Sequence, residues 1–226
     1  MQPFGNVKQI VSAGIDGLLF YFNGPSLDAA NAQCLQFCDT LASANLTWIR
    51  EVVPAYDSVL VVFDAINVDS HYVYGALSSL ASVTKSSSKG HSHTLPVWYG
   101  ANDANDLSLV ATQTGLSETD VIMLHTSVEY CVYAVGFAPG FGYMGSIPEA
   151  LSCPRLATPR KRVPEGAVAI ADRQTAVYPS VSPGGWHLLG LCPLRLTRGH
   201  DALLKIGDKV IFKSISEKEF IALNEY

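Results

Sequence analysis

Four basic side chains lie within eight residues in the second half of the chain. They are Arg155, Arg160, Lys161 and Arg162, and no acidic residue separates them. A guanidinium group binds a carboxylate or a phosphate through two parallel hydrogen bonds, which a lysine ammonium group cannot do. On an extended segment Arg160 and Arg162 share one face, while Lys161 points to the other. The spacing predicts an anion-binding surface, with a solvated basic edge as the structural alternative.

Aromatic residues flank this basic run on both sides. Phe137, Phe141 and Tyr143 precede it among glycines, and Trp186 follows it. The stretch 125–194 holds 8 of the 12 prolines and 8 of the 18 glycines. Proline fixes the backbone, and glycine permits close approach to a ligand. We therefore expect rigid loops that carry the rings into a groove, with a packed aromatic core as the alternative.

Neutral hydrogen-bonding groups occupy the same stretch. Gly184 and Gly185 predict a tight turn that presents Trp186. The remaining candidates could form hydrogen bonds with either an amide or a phosphate. They are Gln174, Thr175, Tyr178 and Ser182.

Three residues are candidates for a general base. His125 lies between a predicted helix and a predicted strand, although a lone histidine is more often structural. Glu129 and Asp172 are the alternative carboxylates. No Ser-His-Asp or Cys-His arrangement can be assigned from the spacing, so the chain does not have the pattern of a self-sufficient hydrolase.

The glycines at 140, 142 and 145 match the G-x-G-x-x-G pattern of dinucleotide-binding folds. That pattern needs a strand before it and a helix after it. Pro139 and Pro148 flank the glycines, and no βαβ unit surrounds them, so we reject a dinucleotide site. The P-loop pattern G-x-x-x-x-G-K-[ST] does not occur anywhere in the sequence.

Two pairs of possible metal ligands are incomplete. Cys34 and Cys38 lie one helical turn apart on an apolar stripe, which favours core packing. His91 and His93 belong to the polar segment 85–93, which we predict to be a loop. Neither pair completes a four-ligand set, so no metal site is predicted.

The composition is that of a globular protein of one large or two small domains. The 226 residues are 48% hydrophobic and 15% charged, with a net charge of −5, which disfavours bulk binding to nucleic acid or acidic membranes. Five cysteines at irregular spacings and no signal-peptide pattern predict reduced thiols in a cytoplasm. No apolar run reaches the ~18 residues that a membrane span requires.

Hydrophobic periodicity predicts two domains of an α+β protein. The order β-β-α-β-β-α-β over about residues 5–97 predicts a small open sheet with helices on one face, and we take residues 1–97 as the first domain. Residues 98–226 form the second. It begins with a helix over 102–115 and a capping box at Ser117 and Asp120. Short strands punctuated by glycine and proline follow, which indicates a β-barrel or sandwich.

Four blocks resemble the signature of one bacterial family. They are GFAPGFGYMG (136–145), TPRKRVPEGAVAI (158–170), QTAVYP (174–179) and SPGGW (182–186). In order and spacing they resemble the family of the 5-oxoprolinase B subunit, also called PxpB or KipI and labelled allophanate hydrolase subunit 1. The resemblance is strong from Leu95 to about Phe212 and weaker before Leu95. It departs from the family pattern in ANDANDL, which lacks the usual Gly-Pro, and at Leu191, where an arginine is common.

The resemblance implies a compact α/β module followed by a cyclophilin-like β-barrel domain that carries the site. It implies a subunit that, with PxpC-like and PxpA-like partners, hydrolyses 5-oxo-L-proline to L-glutamate at the expense of ATP. ATP, with Mg²⁺ as a candidate companion, is thus the expected cofactor, and a subunit interface is a candidate place for it. Two alternatives stay open: a KipI-type module that inhibits a sensor histidine kinase, and a subunit acting on urea-derived or other small amides.

Overall fold

The computed structural model describes residues 1–80 and 90–224, and the chain divides into two compact units, residues 1–89 and 90–226. The boundary expected after residue 97 falls inside a strand, Ser92–Tyr99, that pairs entirely within the second unit. That strand begins within the expected loop 85–93, and residues 85–89 of this loop lie outside the described residues.

Over its described residues, 1–80, the first unit is a four-stranded antiparallel sheet with two helices. The strands are paired in the order β1-β2-β4-β3. The elements, in chain order, are β1 (Val7–Ser12), β2 (Gly17–Phe22), α1 (Leu27–Ala44), β3 (Ile49–Ala55), β4 (Ser58–Phe63) and α2 (Ser70–Leu80).

Period-two alternation in the central strands builds the core of this unit. Every second residue of β2 and β4 is buried, including Phe20 and Val61. These side chains share one cluster with the apolar stripes of both helices, represented by Phe37 and Leu77. Because both helices contribute to the same cluster, they cover the same face of the sheet, as predicted.

The second unit contains eleven strands and three α-helices within its described residues. They are β5 (Ser92–Tyr99), α3 (Leu107–Thr114), α4 (Glu118–Thr126), β6 (Glu129–Val135), β7 (Gly142–Gly145), β8 (Arg160–Val163), β9 (Ala167–Ala171), β10 (Gln174–Val177), β11 (Ser182–Gly184), β12 (His187–Leu191), β13 (Thr197–Arg198), β14 (Asp201–Ala202), β15 (Lys209–Ser214) and α5 (Glu217–Asn224). A single 3₁₀ turn lies at Glu149–Leu151.

Seven of these strands close a barrel in the order β10-β7-β6-β15-β5-β12-β9. The pairing is antiparallel except between β5 and β15, which run parallel. Two short pairs, β8 with β11 and β13 with β14, stand outside the barrel. The α+β class, with an open-sheet unit followed by a β-barrel, is thereby confirmed.

The barrel interior is filled by small and branched side chains. All five residues of β9 are buried, as is every residue of β10 after Gln174. The main cluster joins these strands to α3 and α4 through residues such as Val110, Val121 and Leu189. A second cluster, centred on Phe141, Tyr178 and Trp186, continues it to the surface.

The helices that precede the barrel differ from the prediction at one end. The capping box of α4 is present: the Ser117 hydroxyl accepts from the Asp120 N–H, and the Asp120 carboxylate accepts from the Ser117 N–H. The helix expected from residue 102, however, begins only at Leu107, so its predicted start is wrong. Residues 102–106 form a loop instead, because the Asp106 carboxylate is bonded to residues outside the helix.

A buried carboxylate fixes the entry to the barrel. Asp208, whose side chain is 3% exposed, accepts hydrogen bonds from the backbone N–H groups of His91 and Lys205. It also bonds His93 Nε2 at 2.9 Å. These contacts join the start of β5 to the turn before β15, so the parallel pair of strands is anchored at its first residues.

None of the helices in residues 1–80 and 90–224 is long and apolar enough to cross a bilayer.

Replacing Asp208 with alanine is expected to lower the free energy of unfolding by about 2–4 kcal/mol, because three donors lose a carboxylate acceptor that is itself buried. Urea denaturation of the full chain measures the change. Asp201→Ala removes an exposed carboxylate nearby and is expected to cost at most about 0.5 kcal/mol. Equal losses in the two variants would show that Asp208 does not hold the strands together.

Candidate functional site

A pocket of about 200 Å³ opens beside the β8–β11 pair. The loop between β6 and β7 forms one wall, and the segment before β8 and the turn after β11 form the other. Eleven residues line it, and eight of them are candidates from the sequence: Phe137, Phe141, Tyr143, Arg155, Tyr178, Gly184, Gly185 and Trp186.

Phe141 is the centre of the aromatic wall. Four rings surround it at centroid distances of 4.8–5.9 Å and interplanar angles of 64–80°, namely those of Phe137, Tyr143, Tyr178 and Trp186. Such edge-to-face pairs are favoured by the quadrupoles of the rings. Phe141 is only 2% exposed, whereas Phe137 at the mouth is 60% exposed. The wall is therefore both part of the core and accessible to a ligand.

Phe137 also has an unusual backbone conformation. Its φ is +70°, in the left-handed region that residues other than glycine seldom adopt. The turn is closed by hydrogen bonds from the Gly136 N–H to Phe141 O and from the Phe141 N–H to Ala138 O. Strain held in place by a local network in this way is characteristic of ligand-contacting loops.

Gly184 is required by the close approach of a tyrosine. A Cβ at this position would lie inside van der Waals contact with Tyr178 Oη and 2.9 Å from Tyr178 Cζ. The Tyr178 ring is 2% exposed and packed against Phe141, so it cannot move aside easily. Burial raises the pKa of Tyr178, which therefore presents a neutral hydroxyl.

Among the residues that the structure describes, Arg155 is the one cationic side chain that lines the pocket. Its guanidinium lies 5.9 Å from the centroid of the Trp186 ring, within cation–π range. Its Nε is 3.7 Å from Asp172 Oδ2, but both side chains are about 60% exposed, so this ion pair is weak. The guanidinium can therefore bind an incoming anion.

The other two candidate arginines are placed differently. Arg160 is half-buried and donates to both oxygens of Asp106 and to Trp186 O, so both of its terminal nitrogens are already engaged. Arg162 is exposed and does not line the pocket. The structure thus brings one of the three predicted anion-binding arginines into the pocket. Asp106 was missed because the sequence placed it inside a helix.

His125 lies in the barrel core rather than in the pocket. It is fully buried, its Nδ1 is 2.7 Å from Tyr99 Oη, and its Nε2 is 2.9 Å from Thr175 Oγ1. Thr175 in turn donates to Ala169 O, so the neutral ring accepts from Tyr99 and donates to Thr175. Burial lowers the pKa of His125 to about 3. This position suits a structural role and not that of a general base.

The remaining candidates do not line the pocket. Thr175 belongs to the histidine network, and Glu129 begins β6 at the surface. Gln174 begins β10 and is half-buried. Asp172 is exposed in the β9–β10 turn with φ +52°, and it reaches the pocket only through Arg155. The Ser182 hydroxyl oxygen is buried and makes no hydrogen bond with the described residues.

The described residues hold no group of three or more His, Cys, Asp or Glu side chains suited to a metal ion. Burial raises the pKa of the Cys34 and Cys38 thiols to about 12, so both pack as neutral core groups. His93 is paired with Asp208.

Comparison with known proteins identifies the class. The family model described as carboxyltransferase domain, subdomain C and D, matches residues 8–202, a range that includes most of both units and every residue that lines the pocket. The 5-oxoprolinase B subunit of Bacillus subtilis (strain 168) is 38% identical over 190 residues, 77% of this chain and 79% of that protein. The corresponding 5-oxoprolinase protein of Haemophilus influenzae is 40% identical over 168 residues, 73% of this chain and 78% of that protein. The chain belongs to the family of the 5-oxoprolinase B subunit, PxpB.

Solved structures share the fold of this chain. TTHA0988 matches with a TM-score of 0.77 and 33% identity, over 89% of this chain and 40% of that chain. The conserved uncharacterized protein PH0987 from Pyrococcus horikoshii matches with a TM-score of 0.55 and 34% identity, over 94% and 100%. The Kluyveromyces lactis urea carboxylase shares the fold at 16% identity, with a TM-score of 0.76. This chain therefore spans less than half of TTHA0988.

Gly184→Ala is expected to abolish ligand binding in the pocket, because the added methyl group overlaps Tyr178. Gly185→Ala is the matched control, since its nearest contact would be an ordinary 3.6 Å to Pro159. Binding of 5-oxoproline to both variants, measured by calorimetry, tests this. If Gly184→Ala binds as well as the wild type, the pocket is not shaped by the contact with Tyr178.

His125→Gln should give a pH-dependent stability difference. The folded pKa of His125, about 3, lies below the unfolded value of 6.5, so the unfolded chain binds the proton and the wild type loses stability as pH falls between these values. The variant lacks this loss. Near neutral pH the variant should be less stable than the wild type. This difference in the free energy of unfolding should shrink by up to about 1.4 kcal/mol per pH unit below about pH 6.5. Urea unfolding at several pH values measures it; parallel curves would contradict the assignment.

Proposed function

We propose that this chain is the PxpB component of an ATP-dependent 5-oxoprolinase, which hydrolyses 5-oxo-L-proline to L-glutamate together with partner subunits. The names of the relatives that are 38–40% identical over the aligned residues support the proposal. The observation that carries it is the pocket in which a guanidinium, that of Arg155, faces a wall of aromatic rings. Such a site suits a small, flat, singly charged ring.

The features of the pocket correspond to the parts of the substrate. A lactam ring is compact and largely apolar on its two faces, and the rings around Phe141 offer it contact area at little cost in conformational entropy. Its carboxylate is the natural partner of Arg155, because a guanidinium and a carboxylate form two parallel hydrogen bonds. Tyr178 adds a neutral hydroxyl for a polar group of the ligand.

The pocket walls supply binding groups rather than a base. Its described titratable groups are Tyr143, Arg155 and Tyr178, and none of its described lining residues is a carboxylate; the exposed Asp172 only pairs with Arg155. We therefore infer that this chain positions the substrate while a partner subunit completes the catalytic machinery. This division would leave the isolated chain without hydrolase activity.

The residues present fit one anionic group better than a whole nucleotide. A triphosphate carries several negative charges, whereas a single arginine lines the pocket in the described structure. The sequence contains no P-loop. ATP would supply the free energy and the activating phosphoryl group for opening the stable lactam, and we place it, with Mg²⁺ if it is used, at an interface with a partner subunit.

The proposed partners are PxpC-like and PxpA-like subunits. The designation of the relatives as a subunit supports an assembly, and in TTHA0988 the matched region is part of a longer chain. The proposed location is the cytoplasm, since all five cysteines are free thiols and four of them are buried.

Arg155→Ala in the complex reconstituted with its partner subunits is expected to raise the KM for 5-oxoproline about tenfold to a hundredfold, the loss of a charge-assisted bond of about 1.5–3 kcal/mol. The KM of Arg155→Lys should lie between those of the wild type and Arg155→Ala, because lysine keeps the charge without the two-bond geometry. Arg162→Ala removes an equal charge from an exposed position and should leave KM unchanged. The assay is 5-oxoproline-dependent ATP hydrolysis with glutamate release.

Other results would redirect the proposal. Ammonia release from urea or allophanate without activity on 5-oxoproline would indicate the amide-hydrolase alternative. Inhibition of a sensor histidine kinase by the isolated chain, unaffected by Arg155→Ala, would indicate the regulatory alternative.

A further inference from the structure

A carboxylate that the sequence did not single out lies directly behind the pocket. Asp106 accepts two hydrogen bonds from Arg160 Nη2, at 2.6 and 2.7 Å. Its Oδ2 also accepts the Leu188 N–H at 2.7 Å, and its own N–H donates to Leu188 O at 2.6 Å. The two side chains are only 13% and 30% exposed, so water screens the ion pair poorly.

Arg160 would otherwise contribute its charge to the pocket wall. It follows Pro159, which lines the pocket, and it pairs with Gly184 across the β8–β11 ladder. Its Nη1 donates to Trp186 O at 3.1 Å. Its charge also reaches Tyr178, where Arg155 and Arg160 together oppose the rise in pKa that burial causes.

We propose that Asp106 sets the charge selectivity of the pocket: it neutralises Arg160, leaves Arg155 as the anion-binding cation, and so makes the pocket prefer a monoanion to a dianion. The inference rests on the proposed function and deepens it. It assigns the carboxylate of the substrate, rather than a phosphoryl group, as the anion that Arg155 binds.

The preference arises because the attraction to a cation and the cost of desolvating the ligand depend differently on the charge of the ligand. The attraction to a fixed cation doubles when the charge of the ligand doubles. The cost of removing the ligand from water rises more steeply than its charge, so one guanidinium compensates a monoanion better than a dianion. A second cation beside the first would reverse this balance.

Asp106→Asn tests the proposal, because an amide oxygen can still accept the Leu188 N–H while the charge is lost. Methanesulfonate and sulfate are suitable probes, since they share a tetrahedral shape and differ by one charge. Their affinities are measured by calorimetry at one fixed ionic strength. The ratio of sulfate to methanesulfonate affinity is expected to rise about tenfold, or ~1.4 kcal/mol. Asp103→Asn, the same change at an exposed position, should leave the ratio unchanged.

The opposite substitution should have the opposite sign. Arg160→Gln removes the cation and leaves Asp106 behind, so the ratio should fall below that of the wild type. The double variant Asp106→Asn/Arg160→Gln is neutral again and should restore the ratio. If all three variants weaken both probes with the ratio unchanged, the pair only supports the fold and the proposal is overturned. Arg160→Gln and the double variant decide the matter even if Asp106→Asn fails to fold.

Failure of the proposed function would give a different result. If Arg155→Ala does not weaken either probe in the wild-type background, the pocket is not the anion site at all. If Arg155→Ala weakens the binding of both probes but Asp106→Asn leaves the affinity ratio unchanged, the pocket is an anion site and only its proposed selectivity is wrong.

Discussion

The bonds of Asp106 to Arg160 and Leu188 join three parts of the chain that are distant in sequence. They connect the loop before α3, the strand β8 that carries Arg160, and the barrel strand β12. Trp186 directly precedes β12, and its carbonyl oxygen accepts a hydrogen bond from Arg160 Nη1. This network therefore holds the backbone at Trp186, one of the rings of the aromatic wall. A half-buried ion pair adds little to stability, but a carboxylate that accepts from a guanidinium nitrogen and from a backbone N–H has few alternative positions.

The second unit keeps its buried polar groups apart from its ligand-facing groups. The chain of hydrogen bonds from Tyr99 through His125 to Thr175 is satisfied internally and excludes water. Arg155, by contrast, is held only by a ring face and an exposed carboxylate. Buried polar groups whose hydrogen bonds are satisfied favour a single arrangement of the barrel. The Arg155 guanidinium at its edge can still donate to a ligand.

Local features of the sequence were sufficient to predict much of the fold and the wall of the pocket. The capping box at Ser117 depends on residues three apart, and β2 was recognisable as a short run of strand-favouring residues, GLLFYF. The rings near Phe141 were identified because glycine and proline leave few conformations for the segments that carry them.

Partnerships across long sequence distances could not be predicted. Asp106 and Arg160 are 54 residues apart, and an acid before Leu107 is equally typical of a helix N-terminus. His125 and Thr175 are 50 residues apart, so nothing local showed that the ring is buried. The two arginines of β8 have the same local pattern, and only the position of Asp106 distinguishes the paired one from the exposed one.

The closure of the barrel has a consequence for how the protein is made. Strand β15 lies between β5 and β6 and supplies hydrogen bonds to both. On the ribosome, the barrel cannot close before residues 209–214 have left the exit tunnel. Until then β5 and β6 each expose an unpaired edge, and these two edges are where non-native strand pairing would begin.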